Sequence, residues 1–542
     1  MSSPISYAHG TTQSPLIGET IGSNFDRVAS SYSERDALVV SHQDVRWSYR
    51  ELATRVNRLA GGLIAIGLQP GDRMGIWAPN CAEWVLAQYA SAKAGVILVN
   101  INPAYRTSEL EYVLKQSGCR LLISASAYKT SDYAGMVQEV TPRCGELERT
   151  VFLDSGDWDE VLAAGESQRS LPEGLQFDDP INIQYTSGTT GFPKGATLTH
   201  HNILNNGFFI GEGCGYTFED RVCVPVPFYH CFGMVLGNLA CTTHGACIVV
   251  PAPTFDPHAT LHAVQQERCT SLYGVPTMFI AELALPDFND FDLGSLRTGI
   301  MAGAPCPVEV MRKVIDRMNM SEVTICYGMT ETSPVSTQTG ATDDIDHRTA
   351  TVGRVHPHVE VKMIDPISGA CVEHGIAGEL CTRGYCVMLG YWNDPEQTAE
   401  AIDRAGWMHT GDLATMDSDG YVKIVGRSKD MIIRGGENIY PREVEEFLYG
   451  HPDVSDVQVV GVPDKRYGEE IAAFVIPQAS GTIDPEAVRE FCRAKIAHYK
   501  IPRYVIPVDE FPMTVTGKVQ KFKLREQAIE RLELQPAVVQ TA

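Results

Sequence analysis

Between Ala37 and Ser124, apolar residues alternate between helical and strand-like spacing. Ser48 and Glu51 form a capping-box pattern ahead of a helical apolar stripe, and Gly67 is typical of a helix stop. The stripe comprises Leu52, Val56, Leu59, Leu63 and Ile64. Short apolar runs predict strands at Met74–Trp77, Val96–Val99 and Leu121–Ser124. Strands alternating with helices of this length predict parallel sheets covered by helices on both faces.

A change in pattern near residue 428 predicts a domain boundary. The strand candidate Tyr421–Val425 is followed by the polar stretch Gly426–Asp430, and a second α/β pattern then runs to about Leu534. We therefore predict a large domain over residues 1–428 and a small one over 429–542. Late in the small domain, four basic residues fall close together, and a solvated face is their plainest interpretation. They are Lys518, Lys521, Lys523 and Arg525.

Charge and composition narrow the class of protein. The 542 residues carry a net charge of −23, which disfavours binding to nucleic acid. No apolar run reaches the length of a membrane span, and neither end of the sequence shows a targeting signal. The 15 cysteines lack C-x-x-C spacing, so we expect buried reduced thiols in preference to zinc or disulfide scaffolds. We expect a cytoplasmic protein, with a homo-oligomer as an open alternative to a monomer.

The strongest chemical signal is the string from Tyr185 to Gly195, which reads YTSGTTGFPKG. Its glycines permit turns that aim backbone N–H groups inward, and its hydroxyls and the Lys194 ammonium add further donors. This combination suits a polyphosphate. The string is not a Walker A loop, because Lys194 is followed by Gly195 where that loop has Ser or Thr.

The string resembles the phosphate-binding signature of the adenylate-forming superfamily, which includes acyl-CoA synthetases, luciferase and peptide-synthetase adenylation domains. Four further strings resemble motifs of that superfamily, in its order: Tyr327–Thr332, Gly406–Asp412, Gly426–Ile439 and Thr516–Lys521. The resemblance implies an α/β fold with a large N-terminal domain of parallel and mixed sheets packed with helices and a small β-barrel-like subdomain. It also implies a small mobile α+β C-terminal domain.

The reaction implied is attack of a carboxylate on the α-phosphate of ATP, followed by attack of a thiol on the acyl-adenylate. Glu331 is expected to bind Mg²⁺, Thr330 to contact the α-phosphate, and Tyr327 to pack on adenine. Asp412 is expected to accept hydrogen bonds from the ribose, with Arg427 nearby, and Lys518 to act as the catalytic lysine across the domain interface. The remaining expected ATP contacts are Thr186, Ser187, Gly188, Thr189, Thr190, Gly191, Lys194, Gly303, Ala304, Pro305, Gly328 and Met329.

The resemblance also implies a hinge and a thiol-side surface. Lys429 matches the residue about which the small domain rotates between an adenylating and a thioesterifying arrangement. Gly435 and Gly436 would then lie on the CoA side, although a plain tight turn is the alternative for both.

The acyl partner is read from an apolar string, Val226 to Met234, which holds one histidine and no acid. An amino-acid adenylating domain would use an Asp here, so the string disfavours that class. His230 matches the gate of fatty acid ligases, with a structural histidine as the alternative. The expected acyl pocket comprises Val226, Phe228, Phe232, Met301 and Cys326.

These features predict a fatty acid–CoA ligase that favours medium- to long-chain acids and uses ATP, Mg²⁺ and CoA. Residues 383–392 and 426–440 resemble the medium-chain mitochondrial type of acyl-CoA synthetase. Transfer to a carrier protein, or use of aryl or branched acids, stays open. A luciferase-like monooxygenase would share every adenylation motif. A non-catalytic scaffold is disfavoured because Lys194, Glu331, Asp412 and Lys518 are all present.

Overall fold

The computed structural model describes residues 4–167, 170–186, 193–304, 306–427, 430–434, 437–478, 481–493, 495–514 and 519–534. Two compact units divide the chain. The larger unit comprises Ala8–Val361 and Thr382–His409. The smaller unit takes the segment before Ala8, Lys362–Cys381 and the chain from Thr410 onward. Each unit is made of more than one segment of the chain. The domain boundary at residue 428 stays a prediction.

A seven-stranded mixed sheet of the larger unit carries the phosphate-loop string at one end. Its strand order is Gly390–Tyr391, Lys194–Thr199, Pro180–Thr186, Ile97–Asn100, Arg73–Trp77, Leu121–Ser124 and Arg149–Phe152. The last five strands are parallel, and Lys194–Thr199 is antiparallel to both of its neighbours. The three strands predicted between residues 74 and 124 are confirmed, with ends that shift by one residue at most.

The second sheet of the larger unit has nine strands. Their order is Arg354–Val355, Val335–Gln338, Glu322–Gly328, Thr298–Ala302, Ser271–Gly274, Arg221–Cys223, Cys247–Val250, Asp36–Val40 and Val45–Ser48. Six successive strands in its centre are parallel, and antiparallel strands close both edges. Parallel strands need helical crossovers, which explains why the apolar strand runs alternate with helical stretches in the sequence.

Helices cover both sheets. They are Ile21–Ser31, Tyr49–Ala65, Ala82–Ala94, Thr107–Ser117, Tyr133–Val140, Gly156–Ser167, His200–Gly213, Ala240–His244, Pro257–Glu267, Pro276–Leu283, Val308–Arg317, Ile345–Ala350 and Pro395–Ala401, with a π-helix at Phe232–Leu239. The predicted capping box is confirmed, because Ser48 caps Tyr49–Ala65 and exchanges hydrogen bonds with Glu51. The predicted stripe packs into the core, apart from Ile64, which is half-buried.

A third sheet has five strands, in the order Tyr7–His9, Val359–Ile364, Gly378–Gly384, Met408–Met416 and Val422–Arg427. The strand predicted at Tyr421–Val425 is therefore present, with its bounds one to two residues later. It pairs antiparallel with Met408–Met416, so that Asp412 lies opposite Arg427.

The C-terminal part of the smaller unit is an α+β sandwich. Its strands are Ile432–Arg434, Glu437–Ile439, Val454–Asp464, Gly468–Pro477 and Tyr504–Pro507. Helices Pro441–Leu448 and Pro485–Cys492 pack on one face and Lys521–Arg531 on the other. The α/β architecture with a separate C-terminal domain is confirmed.

The interpretation of the late basic run as a solvated face is wrong for Lys521. The Lys521 ammonium lies 2.5 Å from the buried Glu445 carboxylate and donates to the Val459 carbonyl at 3.2 Å. Arg525 pairs with Glu469 at 3.0 Å, and Lys523 is exposed as expected. Lys521 faces the sheet because it shares a helix face with Leu524 and Ala528, the buried residues of the helix Lys521–Arg531.

The cysteines are expected to be buried, and 14 of the 15 are. All 15 cysteines are free, and Cys371 is the single exposed one. Within the described part of the chain, each helix is too short or too polar to cross a bilayer.

Glu282 is a buried acid that no cation neutralises within the described residues. It lies on the helix Pro276–Leu283 with 1% of its surface exposed, and neither carboxylate oxygen has a hydrogen-bond partner in the described chain. Burial raises the pKa of this carboxyl well above its usual value. The folded state therefore holds the proton at pH values where the unfolded chain has lost it, and stability falls as pH rises above the ordinary Glu value.

We expect Glu282→Gln to stabilise the protein more at pH 8 than at pH 5. The neutral amide removes the cost of retaining a proton, which is about 1.4 kcal/mol for each pH unit between the two pKa values. Thermal unfolding at both pH values measures the difference. The exposed Glu309→Gln is the control and should shift little at either pH. An equal shift of Glu282→Gln at both pH values would contradict the assignment.

Candidate active site

The phosphate-loop string spans a hairpin whose stems are described. Pro180–Thr186 and Lys194–Thr199 are antiparallel, and Thr186 lies directly opposite Lys194. The expected ATP contacts between them, Ser187, Gly188, Thr189, Thr190 and Gly191, lie outside the described residues. The register still places Thr186 and Lys194, two of the expected phosphate contacts, side by side.

Glu331 belongs to the string Tyr327–Thr332 and contacts the phosphate-loop hairpin. It lies on the short 3₁₀ helix Thr330–Thr332 and is 5% exposed. Its Oε1 accepts hydrogen bonds from Thr186 Oγ1 at 3.2 Å and from the Tyr391 hydroxyl at 2.9 Å. Among the described residues, its other oxygen has no hydrogen-bond partner. A buried carboxylate with one oxygen held and one open fits the hard-cation chemistry of Mg²⁺.

Lys194 borders a small polar cavity of about 100 Å³. Its ammonium donates to Gln397 Oε1 and lies 5.0 Å from the centre of the Tyr391 ring. Burial and the nearby Glu331 charge raise the pKa of Tyr391, so its hydroxyl stays a neutral donor. Among the residues that line the cavity are Tyr112, Gln116, Lys194, Tyr391, Asp394 and Gln397.

The expected adenine contacts follow two neighbouring parallel strands. Thr298–Ala302 pairs with Glu322–Gly328 so that Ala302 lies beside Cys326. Gly303 and Ala304 therefore leave the sheet next to Tyr327, at the carboxyl ends where α/β sheets bind ligands. Pro305 lies outside the described residues.

Two glycines of this region are required by geometry. Gly303 has a φ of +85°, in the left-handed region that favours glycine. A Cβ on Gly328 would lie 1.7 Å from the carbonyl oxygen of Pro334, so only glycine fits there. Met329, which precedes the 3₁₀ helix, is half-buried.

The expected acyl-pocket residues are all buried. Val226, Phe228 and Met301 have no exposed surface, and Phe232 and Cys326 are 6% exposed. Phe232 stacks on Tyr273 with ring centres 5.7 Å apart. The structure thus places these side chains in apolar surroundings, and their contact with an acyl chain stays a prediction.

His230 lies in the turn before the π-helix Phe232–Leu239. Its Nδ1 accepts a hydrogen bond from the backbone N–H of Phe232 at 3.1 Å, which places the proton of the neutral ring on Nε2. A π-helix is a common mark of a functional segment. The gate and the structural role expected for His230 both stay predictions.

Buried amides hold this segment, and sequence reasoning missed them. Asn100 donates to the Tyr229 carbonyl at 3.0 Å, and Asn182 donates to Asn100 Oδ1 at 3.0 Å. Gln184 continues the chain of amides to Asn182 at 2.9 Å and accepts from the Cys231 thiol at 3.1 Å. The signal that could have indicated them is the alternation of Asn182 and Gln184 with apolar residues at positions 181–184.

Cys231 lacks the surroundings of a nucleophilic cysteine. Burial raises the pKa of this thiol, and the charge of Glu331 adds to the effect. A nucleophilic cysteine needs the opposite shift. The cysteine instead serves as a buried hydrogen-bond donor to Gln184 beside the candidate site.

The smaller unit brings together the two expected ribose contacts. Asp412 and Arg427 lie opposite each other on paired strands, and Arg427 Nε is 2.9 Å from Asp412 Oδ1. Asp412 is 7% exposed, whereas about half of the Arg427 side chain is exposed. The guanidinium thus fixes the carboxylate. Lys429, Gly435, Gly436 and Lys518 lie outside the described residues.

Comparison with known proteins covers nearly the whole chain. The family model for AMP-binding enzymes matches residues 25–392, and the model for the AMP-binding enzyme C-terminal domain matches residues 443–518. The candidate acyl-CoA synthetase YngI of Bacillus subtilis strain 168 is 50% identical, over 96% of this chain and 99% of that protein. The human mitochondrial medium-chain acyl-CoA ligase ACSF2 is 44% identical, over 98% of this chain and 91% of its own length.

Solved structures agree in fold. The anthranilate CoA ligase AuaEII, in complex with anthranoyl-AMP, superposes with a TM-score of 0.87 at 27% identity, over 96% of this chain and 99% of that chain. ATP-bound MatB of Rhodopseudomonas palustris has a TM-score of 0.84 at 29% identity, over 94% and 99% of the two chains. With motifs, fold and full-length similarity in agreement, this chain belongs to the family of AMP-binding enzymes.

Proposed function

We propose that this chain is an ATP-dependent fatty acid–CoA ligase. A fatty acid and ATP give acyl-AMP and pyrophosphate, and CoA then gives acyl-CoA and AMP. The observation that carries the proposal is the hydrogen bond between Thr186 and Glu331, which joins the phosphate hairpin to the carboxylate suited to a cation. The chain in which it occurs is similar over nearly its full length to a medium-chain acyl-CoA ligase.

The acyl donor is the finer part of the proposal, and medium- to long-chain fatty acids are the favoured substrates. The relative at 44% identity is a medium-chain acyl-CoA ligase and the one at 50% is a candidate acyl-CoA synthetase, whereas the anthranilate CoA ligase shares 27%. Aryl acids and transfer to a carrier protein are therefore less favoured. The buried apolar surroundings of Phe228, Phe232 and Met301 support an aliphatic chain.

In the first half-reaction two anions must meet, because the carboxylate attacks a phosphate. The Lys194 ammonium and the donors of Thr186 and residues 187–191 offset the charge of the phosphates. Thr330 contacts the α-phosphate, and Lys518 binds the carboxylate and the α-phosphate oxygens. Glu331 would hold Mg²⁺, which when bound offsets further phosphate charge.

The nucleoside is held by two sets of residues. Tyr327, with Gly303 to Pro305, packs on adenine. Asp412 accepts hydrogen bonds from the ribose hydroxyls, and its ion pair with Arg427 keeps the carboxylate oriented. Both sets act on parts of ATP that do not react, so their binding free energy orients the α-phosphate.

In the second half-reaction the thiol of CoA attacks the carbonyl carbon of acyl-AMP, and AMP leaves. Rotation about Lys429 replaces the face that bears Lys518 with one that includes Gly435 and Gly436. His230 acts as the gate between the acyl chain and the nucleotide. The 15 free cysteines support a reducing compartment, for which we propose the cytoplasm.

Pyrophosphate release with ATP and Mg²⁺, across fatty acids of four to eighteen carbons and a set of aryl acids, tests the proposal. Each acid is run with and without CoA. We expect many turnovers that require CoA and an optimum among aliphatic acids. A single burst that CoA leaves unchanged would contradict the ligase assignment, and an aryl optimum would contradict the substrate class.

Lys518→Ala should slow acyl-AMP formation by about 10² to 10³ and largely spare thioester formation from pre-made acyl-AMP. The proposed role of the lysine is to offset charge in the adenylation step, so the later attack of the thiol should not need it. Single-turnover assays of each half-reaction measure the split. The exposed Lys523→Ala is a matched control from the same segment and should affect neither. Equal loss of both half-reactions would refute the assigned role.

Lys429→Pro should show the reverse pattern, with acyl-AMP formed and thioester formation lost. Proline fixes the φ angle about which the small domain is proposed to rotate. Lys429→Ala removes the charge but leaves that rotation free, so it serves as the control. Normal overall turnover by Lys429→Pro would place the hinge elsewhere.

A further inference from the structure

Tyr391 contacts both charged groups of the phosphate site, although no sequence motif assigned it a role. Its hydroxyl donates to Glu331 Oε1 at 2.9 Å, and its ring centre lies 5.0 Å from the Lys194 ammonium. The side chain therefore offers a polar tip to an anion and an aromatic face to a cation. The two contacts need both the hydroxyl and the ring, so neither Phe nor Ser could make both.

The backbone of Tyr391 is held on both sides. It lies in the strand Gly390–Tyr391, where it pairs with Ala196 two residues after Lys194. Its N–H donates to Thr398 Oγ1 at 2.8 Å, and Thr398 Oγ1 in turn donates to the Asp394 carbonyl at 2.7 Å. The side chain thus starts from a fixed point between the phosphate hairpin and the helix Pro395–Ala401.

The same helix holds the other side of Lys194. Gln397 accepts from the Lys194 ammonium, and its own N–H donates to Asp394 Oδ1 at 3.1 Å. Tyr391 and Gln397 therefore both contact the Lys194 ammonium. They lie close together in the chain, on either side of Asp394, which caps the helix Pro395–Ala401. Only Tyr391 also reaches the carboxylate.

We propose that Tyr391 is a positioning residue that sets the Glu331 carboxylate for a divalent cation and the Lys194 ammonium for the phosphates. By occupying Oε1, its hydroxyl leaves the other oxygen of Glu331 as the one that would hold the metal. By facing the ammonium, its ring limits where the charge of Lys194 can lie. The inference rests on the proposed function in one respect, namely that Glu331 holds the cation.

Two substitutions of Tyr391 can test its two contacts separately. Tyr391→Phe deletes the hydroxyl and keeps the ring, so it should weaken metal binding and leave the phosphate contact of Lys194 in place. Tyr391→Leu deletes both. Partners that orient a metal ligand typically change metal affinity by about 10- to 100-fold when they are removed.

The test is Mn²⁺ binding, followed by electron paramagnetic resonance, to the full-length protein in the presence of α,β-methylene-ATP. We expect Tyr391→Phe to raise the Kd for Mn²⁺ by about 10-fold. In steady-state assays it should raise the Mg²⁺ concentration at half-maximal rate. Tyr391→Leu should in addition raise the KM for ATP, a split that a general loss of stability would not produce.

Tyr89→Phe is the matched control, because it removes a buried hydroxyl that bonds to the Asn238 carbonyl and touches neither Glu331 nor Lys194. It should leave the Kd for Mn²⁺ unchanged. Wild-type Mn²⁺ affinity in folded Tyr391→Phe overturns the inference, whatever its Tm.

Glu331→Gln separates this inference from the proposed function. It should abolish most Mn²⁺ binding, and adding Tyr391→Phe to it should cause no further loss. Wild-type Mn²⁺ affinity in Glu331→Gln would refute the metal role of Glu331 and the inference with it. Loss in Glu331→Gln without loss in Tyr391→Phe would refute the role of Tyr391 alone.

Discussion

One carboxylate oxygen joins the two large sheets at the candidate site. Glu331 follows a strand of the nine-stranded sheet, whereas Thr186 and Tyr391 belong to the seven-stranded sheet, and both hydroxyls donate to Glu331 Oε1. Burying a carboxylate is costly, and hydrogen bonds to a charged group return about 1.5–3 kcal/mol each. The hydroxyls of Thr186 and Tyr391 therefore offset part of the cost of burying Glu331. The second carboxylate oxygen has no partner among the described residues.

Buried amides extend this polar region into an apolar interior. Asn182 and Gln184 lie on the strand that ends at Thr186, and they link Asn100 to Cys231 by hydrogen bonds. Each buried amide must be paired, because an unpaired one costs about 1–3 kcal/mol. This requirement fixes the position of the turn at His230 relative to the phosphate hairpin. The segment proposed to bind the acid is thus tied to the one proposed to bind ATP.

Ionisable side chains in the interior mark the limit of pattern-based prediction. Lys521 lies in a basic run that looks solvated, yet its ammonium pairs with the buried Glu445. Glu282 lies on a short helix, yet both of its oxygens are buried without a partner among the described residues. Helical spacing predicts which residues share a face. It does not predict which element covers that face, and this contact decides whether an ionisable group is solvated or buried.

The sequence by itself determined the alternation of strands and helices, the capped helix after Ser48 and the family of enzyme. These are local matters, since capping and periodicity act within one or two turns and the motifs are short strings. Tertiary structure alone decided that Thr186, Glu331 and Tyr391 meet at one oxygen. These residues are far apart in the chain, and their contact depends on how two sheets pack, which no local spacing encodes.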